Sequence, residues 1–250
     1  MLPVTGLIPI HDANPTRTRS ILTIALIIVN VAIFFVEPQL GSGSSCQLGV
    51  FLFHWGVVPK ELVSGKALSG NICAGFPLQD KSIYLSLITS MFLHAGWLHL
   101  AGNMLFLWVF GNNVEDRLGK IRFGIFYLAC GIAAGLAHTF VNPESVTPTI
   151  GASGAIAGLL GAYIVLFPKA RVTTIIPLGF LFIRDLPAYL VLGFWFLSQF
   201  FIARGQQAGG GVAWMAHVGG FVAGIALIVL LGGLKSRSTL SDGPPDPIWS

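Results

Sequence analysis

Six stretches of about twenty predominantly apolar residues leave this chain little choice of solvent. They run at roughly 20–37, 92–112, 121–141, 150–167, 186–203 and 212–233, each near the ~20 residues that a helix needs to cross a bilayer. Charge cannot rescue a water-soluble reading. Only 10% of the 250 residues are charged, 54% are hydrophobic, and the mean hydropathy is +0.79, whereas soluble domains carry about 25% charged residues. Backbone groups in hydrocarbon must be satisfied within the segment, so the stretches are expected as helices. The expected fold is an all-α membrane protein, a six-transmembrane-helix bundle.

Lysines and arginines set the orientation. With a cytoplasmic N-terminus, Arg17, Arg19, Arg117, Lys120, Arg122, Lys169, Arg171, Arg184, Lys235 and Arg237 lie inside. Lys60, Lys66, Lys81 and Arg204 lie outside, so ten of the fourteen basic residues favour this arrangement. Both termini are then cytoplasmic. Residues 1–19 form a polar cytoplasmic segment, 20–233 the six-helix domain, and 234–250 a Pro-, Ser- and Asp-containing tail expected to be disordered. Residues 38–91 form an unusually long first outer loop, and a long irregular loop tends to be functional. It carries Cys46 and Cys73, whose pairing stays open. No basic run interleaved with aromatics suggests nucleic acid.

Polar residues inside a span are expensive and mark function by default. Ser153 sits between Gly151 and Gly154 at the start of the fourth helix; His99 and Asn103 share a face of the second; His217 opens the sixth. With the N-terminus inside, these three helices run from outside to inside. Ser153 and His217 then lie roughly 5–10 Å beneath the outer boundary at ~1.5 Å per residue, with His99 and Asn103 at a similar level. All ten acids lie in loops, tails or helix ends, which disfavours a Ser-His-Asp triad and a carboxylate proton pump. A Ser-His pair remains, with neutral imidazole taking the serine proton and returning it to the leaving amine. The Ser153 amide, at a helix N-terminus, can help hold an oxyanion. Zinc on His94, His99 and His217 is the competing reading, but no carboxylate, cysteine or His-Glu-x-x-His accompanies them, so no metal or cofactor is expected. Glycines four apart, Gly131 and Gly135, Gly154 and Gly158, Gly220 and Gly224, fit close helix packing. Trp97 and Trp214 read as interfacial anchors, and Ser198 and Gln199 as interhelical hydrogen-bonders or gate-side residues. Glu115 with Arg117 is expected to cap and anchor the inner end of the second helix.

Gly151-Ala-Ser153-Gly154, His94-x4-His99-x3-Asn103, Ala216-His217-x2-Gly220-x3-Gly224 and the turn Gly111 to Gly119 together resemble the rhomboid family of intramembrane serine proteases. The resemblance covers about residues 80–232, plus the first helix by topology. It implies Ser153 as nucleophile, His217 as general base, and His99, Asn103 and the Ser153 amide as oxyanion hole. Gly151, Gly154, Gly158, Gly220 and Gly224 would pack the helices at the site. It further implies transmembrane protein substrates in the lipid bilayer, cut at or near the outer boundary. Two positions depart from the family pattern. Leu85 and Ser86 stand where many members carry Trp-Arg in the first loop, and Ala157 stands where some carry a tyrosine that stacks on the histidine. Helix five and the 204–212 loop are the expected gate. The expected location is a cell membrane, crossed several times. A catalytically inactive client-binding relative and a small transporter are the rival readings.

Overall fold

The computed structural model describes residues 7–38, 45–78, 80–178, 180–205 and 213–232. The expected tail at 234–250 and most of the 204–212 loop lie outside them. Strand β1 (Ile8–Asp12) leads to helix α1 (Ile21–Val36). The first loop then holds α2 (Ser45–Trp55), α3 (Pro59–Ser64), the short hairpin β2 (Asn71–Cys73) with β3 (Phe76–Pro77), and α4 (Ser86–Thr89), which runs on as a 3-10 turn to Phe92. Helices α5 (Trp97–Leu118), α6 (Lys120–Val141) and α7 (Ser153–Leu166) follow, then strands β4 (Arg171–Leu178) and β5 (Phe180–Pro187), and helices α8 (Ala188–Gly205) and α9 (Trp214–Leu230).

Helix α7 is the axis. Every residue from Gly154 to Tyr163 is buried, and its small side chains let α5, α6 and α9 close around it. Glycine permits main-chain contact here: a Cβ on Gly158 would lie 2.5 Å from Cys130 Sγ and 3.0 Å from the Gly220 carbonyl oxygen. On Gly224 it would lie 2.6 Å from Gly158 Cα. Large apolar side chains point outward instead, including Ile28 and Phe35 on α1, Ile121 (81% exposed) and Phe140 (86%) on α6, and Val222 and Leu230 on α9. An exposed apolar belt of this kind fits lipid contact. By length and composition, α6 is long and apolar enough to cross a membrane alone. Residues 86–92 and α5 pass together across a 96° bend, whereas α1, α7, α9 and the 188–200 part of α8 are shorter apolar helices.

Several boundaries differ from expectation. The second long helix starts at Trp97, not in the low nineties, because the chain turns at Leu93–Gly96. His94 therefore lies in the break, buried, with its amide donating to Glu37 Oε1 at 3.1 Å. The fourth long helix starts at Ser153 itself rather than at 150. Residues 8–12 and the connection between α7 and α8 are not plain loop. They form a three-stranded antiparallel sheet in the order β1-β4-β5, with Ile8 opposite Ile175 and Arg171 opposite Pro187. The β-branched run Val172-Thr-Thr-Ile-Ile176 supplies the strand propensity. The sheet has a polar anchor: Tyr163 Oη donates to Asp12 Oδ2 at 2.5 Å, and Asn113 Nδ2 donates to the same oxygen at 2.7 Å.

Glu115 anchors the inner end of α5 as expected, but it does not cap that helix. Its carboxylate accepts from the amides of Leu22 and Thr23 (2.9 and 2.7 Å) and from Thr23 Oγ1 at 2.7 Å. It thus satisfies the orphan amides at the start of α1, not the end of its own helix. Asp116 accepts from the amide and hydroxyl of Thr18, just ahead of α1. Between α5 and α6 the chain turns on a single residue, Gly119, at φ +78°, a conformation that glycine adopts without steric cost.

The first loop is firmly braced without the Trp-Arg pair. Cys46 and Cys73 form a disulfide, Cα–Cα 5.9 Å, tying α2 to β2. Lys81, its side chain 2% exposed, pairs with Glu61 at 2.5 Å and donates to the carbonyls of Phe53 (2.7 Å) and Gly56 (2.9 Å). Beyond that brace, Val57 and Thr149 exchange both main-chain hydrogen bonds, and the Gly151 amide donates to the Ser90 carbonyl at 2.8 Å. The loop therefore grips the strand-like approach to Ser153.

Candidate active site

Three helix N-termini converge on one cavity of about 960 Å³. Ser153 is the first residue of α7, His99 the third of α5 and His217 the fourth of α9. The first amides of a helix have no intrahelical carbonyl, and their dipoles favour negative charge. An anion formed at this level meets favourable fields from three directions.

His217 Nε2 lies 2.8 Å from Ser153 Oγ, and His217 is buried. Gly154, Gly158, Gly220 and Gly224 make that distance possible, because α7 and α9 touch through main chain at those residues. Gly151 works differently from the helix-packing role expected of it. It precedes α7 at φ +118°, and a Cβ there would lie 2.9 Å from His99 Nε2 and 3.6 Å from Ser153 Oγ. Any side chain at 151 would fill the space between the serine and the histidine of α5.

Hydrogen bonding assigns the proton on His99. The Ala95 amide donates to Nδ1 at 3.3 Å, so in the neutral ring the proton sits on Nε2, the nitrogen facing Gly151. Asn103 is buried one turn on, and its Nδ2 has no hydrogen-bond partner among the described residues. A buried donor without a partner costs roughly 1–3 kcal/mol. Asn103 lines the same cavity as Ser153. His99, Asn103 and Ser153 thus line one cavity, and donors aimed at a developing oxyanion are what acyl transfer requires. His94 packs edge-on against His99, ring centroids 5.1 Å apart, and supports it from behind.

The residue that sequence reasoning undervalued is Gln199 on α8. Its Oε1 lies 2.7 Å from His217 Nδ1, while the Trp195 ring packs 5.8 Å from the imidazole. These two groups hold the histidine where Ala157 offers no stacking ring. A polar pair in the middle of an apolar helix, Ser198-Gln199, was the available signal. Nothing in sequence said which side of α8 faces α9. Ser198 turns back to the Trp195 carbonyl at 2.6 Å. Trp97 packs edge-on against Phe34 and Phe35 of α1 at 4.8 and 5.5 Å.

The rhomboid-domain family model matches residues 81–234. The chain is 28% identical over 208 residues to Rhomboid protein 1, mitochondrial, of Saccharomyces cerevisiae, covering 82% of this chain and 51% of that protein. It is 29% identical over 181 residues to Rhomboid-like protein 11, chloroplastic, of Arabidopsis thaliana (65% and 60%), and 37% identical over 105 residues to Rhomboid protease GluP of Bacillus subtilis (40% and 20%). The chain spans about half the length of the first two of these relatives. The family model covers well over half of the 250 residues, and the chain belongs to the rhomboid family.

Proposed function

We propose that this protein is an intramembrane serine endopeptidase that cuts transmembrane protein substrates at or near the outer membrane boundary. The 2.8 Å approach of His217 Nε2 to Ser153 Oγ carries the reading. Ser153 Oγ attacks the scissile carbonyl carbon while its proton passes to His217 Nε2. The oxyanion is held by the Ser153 amide, His99 Nε2–H and Asn103 Nδ2. Collapse breaks the C–N bond, and the leaving amine takes the proton back from His217. A water molecule, deprotonated by His217, then hydrolyses the acyl-enzyme and frees Ser153.

The membrane arrangement belongs to the same proposal. Helices α1, α5, α6, α7, α8 and α9 are the six spans, with both termini cytoplasmic as the basic residues favour. Fourteen residues of α7 rise only about 21 Å against a hydrocarbon core of about 30 Å. With its inner end at the inner boundary, Ser153 lies roughly 10 Å below the outer one. Its water comes through the cavity from that side. Helix α8, which carries Trp195 and Gln199, acts as the lateral gate. The membrane is a cell membrane, in contrast to the organelles named for the two eukaryotic relatives. An intact Ser-His pair and an unpartnered oxyanion donor argue against an inactive client-binding protein.

The test uses purified full-length protein in detergent with a fluorescent single-span substrate. Wild type cleaves it and reacts with a fluorophosphonate at Ser153; Ser153→Ala and His217→Ala do neither. Cleavage that survives Ser153→Ala would overturn the proposal.

A further inference from the structure

Within that protease reading, we propose that Gln199 is the positioning residue of the pair, its amide fixing His217 as the tautomer that can accept the serine proton. A chain of hydrogen bonds assigns it. Gln199 Nε2 lies 3.0 Å from the Trp195 carbonyl and 3.2 Å from Ser198 Oγ. A main-chain carbonyl can only accept, so the amide nitrogen must face it and Oε1 must face the histidine. Oε1, also an acceptor only, lies 2.7 Å from His217 Nδ1, so the proton of the neutral imidazole sits on Nδ1. Nε2 is then a bare lone pair, 2.8 Å from the Ser153 hydroxyl. The fixed point is a backbone atom of α8, and the order passes from it through two side chains to the serine.

In a Ser-His-Asp site a buried carboxylate holds the imidazole orientation and stabilises the imidazolium that forms. Gln199 supplies the orientation without the charge, which suits an apolar setting where an unpaired carboxylate would be costly. Both groups are almost wholly buried, Gln199 at 3% exposure and His217 at 8%, so water does not compete for Nδ1. Because α8 is the proposed gate, the group that orients the base rides on the element that admits substrate. Displacing α8 would break the Oε1–Nδ1 bond, and returning it would restore a competent base.

The experiment compares wild type with Gln199→Leu and Gln199→Glu in the full-length detergent-solubilised protein. Its readouts are kcat, KM and the 15N spectrum of His217, assigned by difference from His217→Gln. The expected wild-type spectrum shows a protonated Nδ1 and an unprotonated Nε2. Gln199→Leu lowers kcat by roughly ten- to a hundredfold, within the range that general acid–base catalysis supplies, with KM changed less than about twofold. It also mixes the tautomers. Gln199→Glu, which keeps the acceptor for Nδ1 but loses the donor to the Trp195 carbonyl, restores part of the loss. A wild-type spectrum with Nδ1 unprotonated, or a folded Gln199→Leu with wild-type kcat, would overturn the inference. If Gln199→Leu does not fold, the wild-type spectrum and Gln199→Glu still decide. A protein that cleaves after Ser153→Ala would instead sink the protease reading, an outcome that the tautomer measurement does not share.

Discussion

Replacing Gly224 by alanine tests whether the glycine contacts between α7 and α9 set the Ser153–His217 distance. The added Cβ would sit 2.6 Å from Gly158 Cα and 2.5 Å from its carbonyl carbon, with the carbonyl oxygen nearer still. Two carbons in contact need about 3.5 Å, so relieving the Cα overlap alone pushes the helices apart by about 1 Å. Neither side can turn aside, because both are main chain. Overpacking of this kind costs about 1–3 kcal/mol. The larger effect falls on the site, where a 2.8 Å hydrogen bond opened by that amount exceeds hydrogen-bond length. A displacement of 1 Å can cost about a hundredfold in rate. We expect Gly224→Ala to remain folded in detergent, to lose roughly a hundredfold in kcat for a fluorescent membrane substrate, and to label slowly with fluorophosphonate. Gly193→Ala is the control, since a Cβ there meets nothing within 4 Å; its turnover should match wild type. If Gly224→Ala melts within a degree of wild type and turns over normally, the glycines do not set the geometry.

Two further predictions concern the scaffold. Lys81→Met leaves the Glu61 carboxylate buried without its ion pair, which costs about 3–5 kcal/mol. At about 2–4 °C per kcal/mol for a chain of this size, thermal unfolding should fall by roughly 10 °C, and the double variant with Glu61→Gln should recover much of it. A shift under about 2 °C would remove Lys81 from the loop brace. Asp12 gives a pH dependence. Burial raises its carboxyl above the ordinary value of 3.8, against the opposing hydrogen bond from Tyr163. The folded protein therefore holds the proton more tightly than the unfolded chain, and this contribution to stability is full below 3.8 and lost as pH rises through the raised value. Asp12→Asn should flatten that part of the melting-temperature profile; an unchanged slope would refute it.

Some expectations failed for a shared physical reason. Apolar periodicity reports what a helix buries, but not where a neighbouring segment forces it to start. His94 read as part of a helix, yet the break at Leu93–Gly96 places it in a turn held by Glu37. Glu115 read as a cap for its own helix, yet its carboxylate serves α1, about ninety residues earlier in the chain. The β1-β4-β5 sheet pairs residue 8 with residue 175, and pairing over such a separation leaves little local trace beyond β-branched residues. Ala157 marked a missing stacking partner, but only the rotation of α8 could reveal that Trp195 and Gln199 occupy that role.

The sequence by itself determined the membrane setting, the helical class and the group of candidate side chains. Long apolar runs exclude water, and few polar residues are tolerated within them. Tertiary structure decided the rest. It brought Ser153 to His217 through helices that touch at glycine, left Asn103 Nδ2 without a partner among the described residues, and turned Gln199 toward Nδ1. Those facts depend on how closely helices far apart in the chain approach one another. One-dimensional spacing carries no information on that approach.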